Sequence, residues 1–147
     1  MRALLRPFAC LLAVLGLAAA LQGTATAAPV PKALEKTIRT VVQAQLDAFA
    51  KNDAKRAFSY AAPDIRKLFG SPERFFTMVQ VGYPVVHRPR SVTFLKPEMV
   101  DGEVLQPVQM TDENGQPWLA TYLMKQQKDK SWRIGGCTVV EDDRLST

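Results

Sequence analysis

Trp118–Val140, WLATYLMKQQKDKSWRIGGCTVV, is the stretch that decides the fold. Two largely apolar runs flank Lys128-Asp129-Lys130, which reads as the three-residue loop of a β-hairpin. With Gln127 facing Ser131, antiparallel pairing sets Gln126 opposite Trp132, Met124 opposite Ile134, Tyr122 opposite Gly136 and Trp118 opposite Val140. Side chains alternate across a sheet, so these residues are expected on one face. That face is almost wholly apolar, whereas Leu119, Thr121, Leu123, Lys125, Arg133 and Cys137 fall on the other. A slip of one residue would divide the apolar set, which a sheet buried on one side resists. A three-residue loop is commonly a type I turn followed by one left-handed residue, so Lys130 is expected at positive φ.

The segments upstream look built to cover this sheet. Leu34, Ile38, Val41, Val42, Leu46 and Phe49 recur at three- and four-residue steps and predict an amphipathic helix to about Lys51. Asn52 and Asp53 offer a cap for a shorter helix through Ala57, Phe58 and Tyr60, which Pro63 interrupts. Asp64 to Phe69 makes one or two further turns, stopped by Gly70. Ser71-Pro72 is an N-cap followed by proline at the first helical position, opening a helix with Phe75, Phe76, Met78 and Val79. Gly82 and Pro84 should end it.

Beyond Pro84 the helical period is lost. Val85 to His87 reads as a short strand, and Ser91 to Lys96 as another. Asp101-Gly102 and Asn114-Gly115 are tight-turn signals around a strand from Glu103 to Met110, in which Pro107 argues for an edge or bulged position. The acidic tail is expected to fray from about residue 141. Helices followed by a meander of four or five antiparallel strands predict a single α+β domain over residues 28–147.

Residues 1–27 read as a secretory signal peptide. Arg2 and Arg6 precede an apolar run from Phe8 to Leu21, and Ala25-Thr26-Ala27 offers the small residues a signal peptidase requires. The run is short for a membrane span of about 20 residues, so no stable span is expected after cleavage, and the protein is expected to be periplasmic or secreted. Loss of Arg2 and Arg6 takes the formal charge from +5 to +3. That is no nucleic-acid footprint; it implies solubility and weak attraction to anionic surfaces. Cys10 leaves with the leader, so Cys137 stays as a single thiol with no disulfide partner in its own chain. One histidine and one cysteine supply no metal-ligand set, and no cofactor signature is present.

Gln45-Leu46-Asp47-Ala48-Phe49, Asn52-Asp53 and Ala57-Phe58 resemble the opening of an exported bacterial family of unknown function. Phe75-Phe76-Thr77-Met78-Val79, Tyr83-Pro84-Val85-Val86, Tyr122 and Trp132-Arg133-Ile134-Gly135-Gly136-Cys137 agree with it. That family is similar to the nuclear-transport-factor-two-like class. The resemblance implies helices packed into a curved sheet as a cone, a pocket between the two, and dimers through the sheet. Because the class hosts isomerases, dehydratases, binding modules and adaptors, the function must come from the site itself.

An enzyme of this class would need a general base inside the cone. The candidates are Asp47, Asp53, Asp64 and His87, of which Asp47 falls on the polar side of the first helix and the others on caps, turns or a loop. No acid–base pair is visible, and no residue is assigned a catalytic role. Tyr83, Trp118 and Tyr122 are the aromatic residues expected to line a ligand pocket. Three readings follow: an exported module binding a small apolar ligand or a partner protein, an isomerase- or dehydratase-like enzyme using a buried Asp or His87, and a structural dimer of the cell envelope. Leu119, Leu123, Cys137 and Val139, on the hairpin's second face, are the expected homodimer contacts.

Overall fold

The computed structural model of the protein describes residues 26–145. The expected signal peptide, apart from its last two residues, and Cys10 lie outside them. Helix α1, Lys32–Ala50, carries the expected amphipathic stripe, with Ile38, Val42, Leu46 and Phe49 buried. Asp53 caps α2, Ala54–Ser59, by accepting the Arg56 N–H at 3.0 Å. Gly70, at φ +76°, closes α3, Pro63–Phe69, in the left-handed conformation that glycine adopts without strain. The Ser71 hydroxyl caps α4, Pro72–Gly82.

The first departure comes next. Pro84–His87 is not a strand but a single helical turn, α5. Pro84 occupies its first position, where the missing N–H costs nothing, and Val85, Val86 and His87 are all buried. Three buried residues in a row also suit a short turn wedged between layers, and α5 packs on α1, α4 and the sheet.

The helices lie against one antiparallel sheet of six strands: β1 (Ala28–Pro29), β2 (Ser91–Phe94), β3 (Glu98–Val100), β4 (Glu103–Thr111), β5 (Pro117–Gln126) and β6 (Trp132–Glu141). The order is β1-β3-β4-β5-β6, with β2 beside the other half of β4. Pro107 is therefore in an interior strand and not at an edge. It sits where the flank of β4 passes from β2 to β3: its carbonyl accepts the Leu95 N–H at 3.0 Å, on the side where no strand needs its missing donor. The buried Gln106 closes the same gap by donating from Nε2 to the Leu95 and Pro107 carbonyls, both at 2.8 Å.

The hairpin turn is as expected. Gln127 donates to Ser131 at 2.8 Å, and Lys130 has φ +71°. Gln126, Lys125 and Met124 face Trp132, Arg133 and Ile134. One residue later the register changes: Leu123 faces Gly136 and Tyr122 faces Cys137, which leaves Gly135 as the extra residue of a β-bulge. The expected pairs Tyr122–Gly136 and Trp118–Val140 are thus replaced by Tyr122–Cys137 and Trp118–Glu141. Cys137 and Val139 turn inward onto the core, and Val140 turns out, 55% exposed. The proposed second face must be redrawn accordingly: it keeps Leu119 and Leu123, loses Cys137 and Val139, and gains Val140.

Two contacts hold the bulge. The segment between α2 and α3 pairs with the free edge of β6, Ile134 donating to the Tyr60 carbonyl and Ala62 to the Ile134 carbonyl, both at 2.8 Å. Lys125 lays its methylene stem over Gly135 and reaches Asp64 at 3.5 Å and Glu103 at 3.9 Å. The acidic tail is also held: Asp142 is 2% exposed, accepts from Arg144 and Gln109, and donates its N–H to the Pro117 carbonyl.

A Cβ at Gly135 would stand 2.7 Å from Cδ of Lys125. Gly135→Ala should therefore destabilise the wild-type chain by about 1 kcal/mol through overpacking. In a Lys125→Ala background the clash is gone, and the same change should be neutral or stabilising by a few tenths of a kcal/mol, because it restricts the unfolded chain. Urea unfolding of the four variants measures the coupling.

Candidate functional site

Between α1, α3, α4, α5 and the inner face of β5–β6 lies a cavity of ≈ 290 Å³. Phe49 and Gln45 come from α1, Ile65, Leu68 and Phe69 from α3, Phe75, Met78 and Val79 from α4, and Val86 from α5. Tyr122, Ile134 and Cys137 form the sheet side, with the backbone of Gly136 exposed to the cavity by the bulge. Leu68 is 75% exposed and Tyr83 38%, so these two mark the mouth. Behind them the aromatic rings interlock, Phe75 lying 5.9 Å from Phe49, 5.5 Å from Phe58 and 5.5 Å from Phe69.

Polar groups in this wall are few. Gln45 stands on the buried stripe of α1 and donates from Nε2 to the Ala57 carbonyl at 3.0 Å, tying α1 to α2. The Tyr122 hydroxyl is fully buried and has no hydrogen-bond partner among the described residues. Burial first, and the neighbouring Cys137 second, hold that phenol well above its ordinary pKa. Burial likewise pushes the Cys137 thiol up from 9.0 to about 12, which Tyr122 only partly offsets. Cys137 is half-buried and lines the cavity, its thiol 3.9 Å from the Thr138 carbonyl and beside the Tyr122 hydroxyl. Both groups therefore face the cavity region protonated at neutral pH. A thiol so placed is a poor nucleophile, because the thiolate is the reactive form.

Of the aromatic residues expected to line a pocket, Tyr83 and Tyr122 do line this one. Trp118 does not. It borders a separate depression of ≈ 190 Å³ with Tyr83, Pro84, Val85, Asp112 and Val139, so that Tyr83 stands between the two. The Trp118 indole N–H donates to Asp112 at 3.0 Å, the same carboxylate that accepts the Asn114 and Gln116 N–H groups of the preceding turn. Those donors, Trp118 foremost, hold the Asp112 carboxyl below its usual range.

The candidate bases all lie elsewhere. Asp47 is exposed and accepts from Gln43 at 2.9 Å, Asp53 is a helix cap, and Asp64 pairs with Lys125. His87 is buried behind the wall with Phe76 edge-on to its ring at 5.3 Å, and its Nε2 has no partner among the described residues. Burial, and then the charge of Arg88, lower its pKa. Among the described residues no carboxylate or imidazole lines the cavity, and no three His, Cys, Asp or Glu groups are placed to share a metal ion. No helix among them is long and apolar enough to cross a membrane.

Residues 31–147 match the family described as Domain of unknown function (DUF4864). The chain belongs to that family. The match spans α1 to β6 and so includes every residue of the cavity wall. No curated protein and no solved structure matches the chain.

Gln45 and Cys137 are polar wall residues of this DUF4864 domain that the sequence pattern does not place at the cavity, Cys137 being expected on the hairpin's second face. Gln45 has a visible signal, a polar side chain spaced with Ile38, Val42 and Phe49 on the apolar stripe. Cys137 reaches the wall only through the bulge, for which the Gly135-Gly136 pair is the trace in the sequence.

The buried thiol and phenol make the DUF4864 domain alkali-sensitive. The unfolded chain ionises Cys137 near 9.0 and the folded one only near 12, so the stabilising difference is complete below 9.0 and is lost as pH rises through that window. Unfolding free energy should fall by up to about 1.4 kcal/mol per pH unit for each such group. Cys137→Ala should flatten the curve from pH 9.0, and Tyr122→Phe only above about 10.0, in urea melts across the series.

Proposed function

We propose that the domain is an exported, non-catalytic module that holds a small apolar ligand in the cavity between its helices and its sheet. The observation that carries this is the composition of the wall: aromatic and aliphatic side chains around ≈ 290 Å³, with the Cys137 thiol and the Tyr122 phenol held neutral and, among the described residues, no carboxylate or imidazole. That volume sits at the lower end of the roughly 300–1,000 Å³ common for small-molecule sites. The enzyme reading needs a base at the cavity, and Asp47, Asp53, Asp64 and His87 are each engaged outside it. Export rests on the leader-like residues 1–27, and the resemblance to the nuclear-transport-factor-two-like class supports a pocket in this place.

A neutral apolar fluorophore, phenylnaphthylamine, should bind saturably with emission shifted to the blue. Ile65→Asp places a charge on the half-buried wall and should weaken binding at least about tenfold, since a carboxylate cannot be desolvated there without a partner. Circular dichroism should show the fold retained. A wild-type protein that gives no saturable signal would overturn the reading.

The same proposal extends to assembly through the sheet's outer face. Leu105 faces Leu123 and Leu119 faces Val140 across the strands, making an apolar strip on the side away from the helices. A homodimer through this strip should sediment as such at high micromolar concentration, and Leu123→Lys should return it to monomer. Monomer alone in the wild type would sink the idea.

A further inference from the structure

The charges of this chain are divided between its two layers. Residues 51–90, which hold α2 to α5, carry eight basic side chains against three acidic ones, a net +5. Residues 91–145, which hold the strands β2 to β6, carry six against nine, a net −3. Lys51, Lys55, Arg56, Arg66, Lys67, Arg74, Arg88 and Arg90 are all exposed, and none forms an ion pair among the described residues. Of the three acids, Asp53 caps α2 and Asp64 pairs with Lys125, while Glu73 is exposed and forms no ion pair among the described residues.

The most exposed large apolar side chains occur on this basic layer. Leu68 and Val81 are 75% and 76% exposed. Leu68 stands at the mouth of the cavity directly after Arg66 and Lys67. Val81 shares an open groove on the outer side of α4 with Glu73, Arg74, Thr77 and Met78, and Met78 also lines the cavity. Apolar tips, cations and the mouth of an apolar cavity are therefore continuous.

We infer that the α3–α4 surface docks on an anionic lipid bilayer, with Leu68 and Val81 entering the headgroup region and the cavity mouth facing the acyl chains. Cations draw the layer to the anionic surface, and short apolar side chains between them add affinity by burial at the interface. An acidic protein would satisfy the charges but would give two isolated apolar tips beside an open mouth nothing to enter. The net negative charge of residues 91–145 disfavours the opposite orientation, with the outer sheet face on the bilayer. Docking stands on charge and exposure alone. That the cavity's ligand is an acyl chain taken from the bilayer rests on the function proposed above.

Co-sedimentation with vesicles tests docking. The protein should pellet with phosphatidylglycerol–phosphatidylcholine vesicles and not with phosphatidylcholine alone, and binding should fall about tenfold or more between low salt and molar salt, where the screening length is about 3 Å. Leu68→Asp with Val81→Asp, and separately Lys67→Glu with Arg74→Glu, should each lower binding at least about tenfold while unfolding midpoints stay put. Equal binding to neutral vesicles, no binding to either kind, or variants that bind as the wild type would overturn the docking surface. So would heparin binding as tight as vesicle binding and insensitive to Leu68→Asp with Val81→Asp, which would mark a site for soluble polyanions. The two readings fail separately. A pyrene-labelled acyl chain should pass from the vesicles into the wild type but not into Ile65→Asp, which should still pellet. Docking without transfer would overturn the acyl-chain ligand and leave the surface standing; phenylnaphthylamine binding without docking would do the reverse.

Discussion

One extra residue in β6 sets the arrangement on which the rest of the structure depends. Gly135 interrupts the pairing of β5 with β6, and every side chain beyond it changes face. Before it Trp132 and Ile134 point into the core; after it Cys137 and Val139 do. A bulge disrupts the ladder locally, so it persists only where neighbours compensate. Here the compensation comes from one face of the sheet and from its free edge. Lys125 covers the vacancy left by the missing Cβ, and the Tyr60–Ala62 segment takes up the N–H and C=O of Ile134 on the free edge. That same segment joins α2 to α3, so the helices are fastened to the sheet beside its irregularity. Ala61, Gly136 and Cys137 all border the cavity, which opens where helix and sheet are held together this way.

The cavity wall carries an unresolved polar group by design of the same geometry. A buried hydroxyl without a partner costs on the order of 1–3 kcal/mol, and the Tyr122 hydroxyl has no hydrogen-bond partner among the described residues. The bulge brings Cys137 directly across from Tyr122, so a weakly polar thiol stands where a strong hydrogen-bonding group would otherwise be required. The consequence is that the buried thiol and phenol of the wall, Cys137 and Tyr122, both stay neutral. Such a surface favours an uncharged apolar guest over an anion or a cation, since a buried charge needs a partner. The basic side chains of α2 to α5 lie instead on the outer surface of the helical layer, with Arg66 and Lys67 beside Leu68 at the mouth.

Much of the architecture is legible in the residues because it rests on local chemistry. The stripe on α1, the Asp53 and Ser71 caps, the Gly70 stop and the positive φ of Lys130 each depend on a few neighbouring residues and on backbone sterics. The outcomes that escape such reading are those settled by distant partners. Val85-Val86-His87 has the composition of a strand, but Pro84 before it and the space between α1, α4 and β4 make it a turn of helix. Pro107 suggests an edge, yet an interior position is open to it where β2 gives way to β3.

The sequence by itself determined the α+β class, the limits of α1 to α4, the hairpin loop and its chirality, because propensity, capping and turn chemistry act over a few residues. Only the tertiary structure decided which side of the sheet Cys137 occupies, which of Tyr83, Trp118 and Tyr122 meet in one cavity, and that the candidate bases lie outside it. The reason is physical. Gly135-Gly136 permits a bulge without requiring one, and its placement follows from the fit of Lys125, Ile134 and the α2–α3 segment around it, contacts made by residues up to about seventy positions apart in the chain.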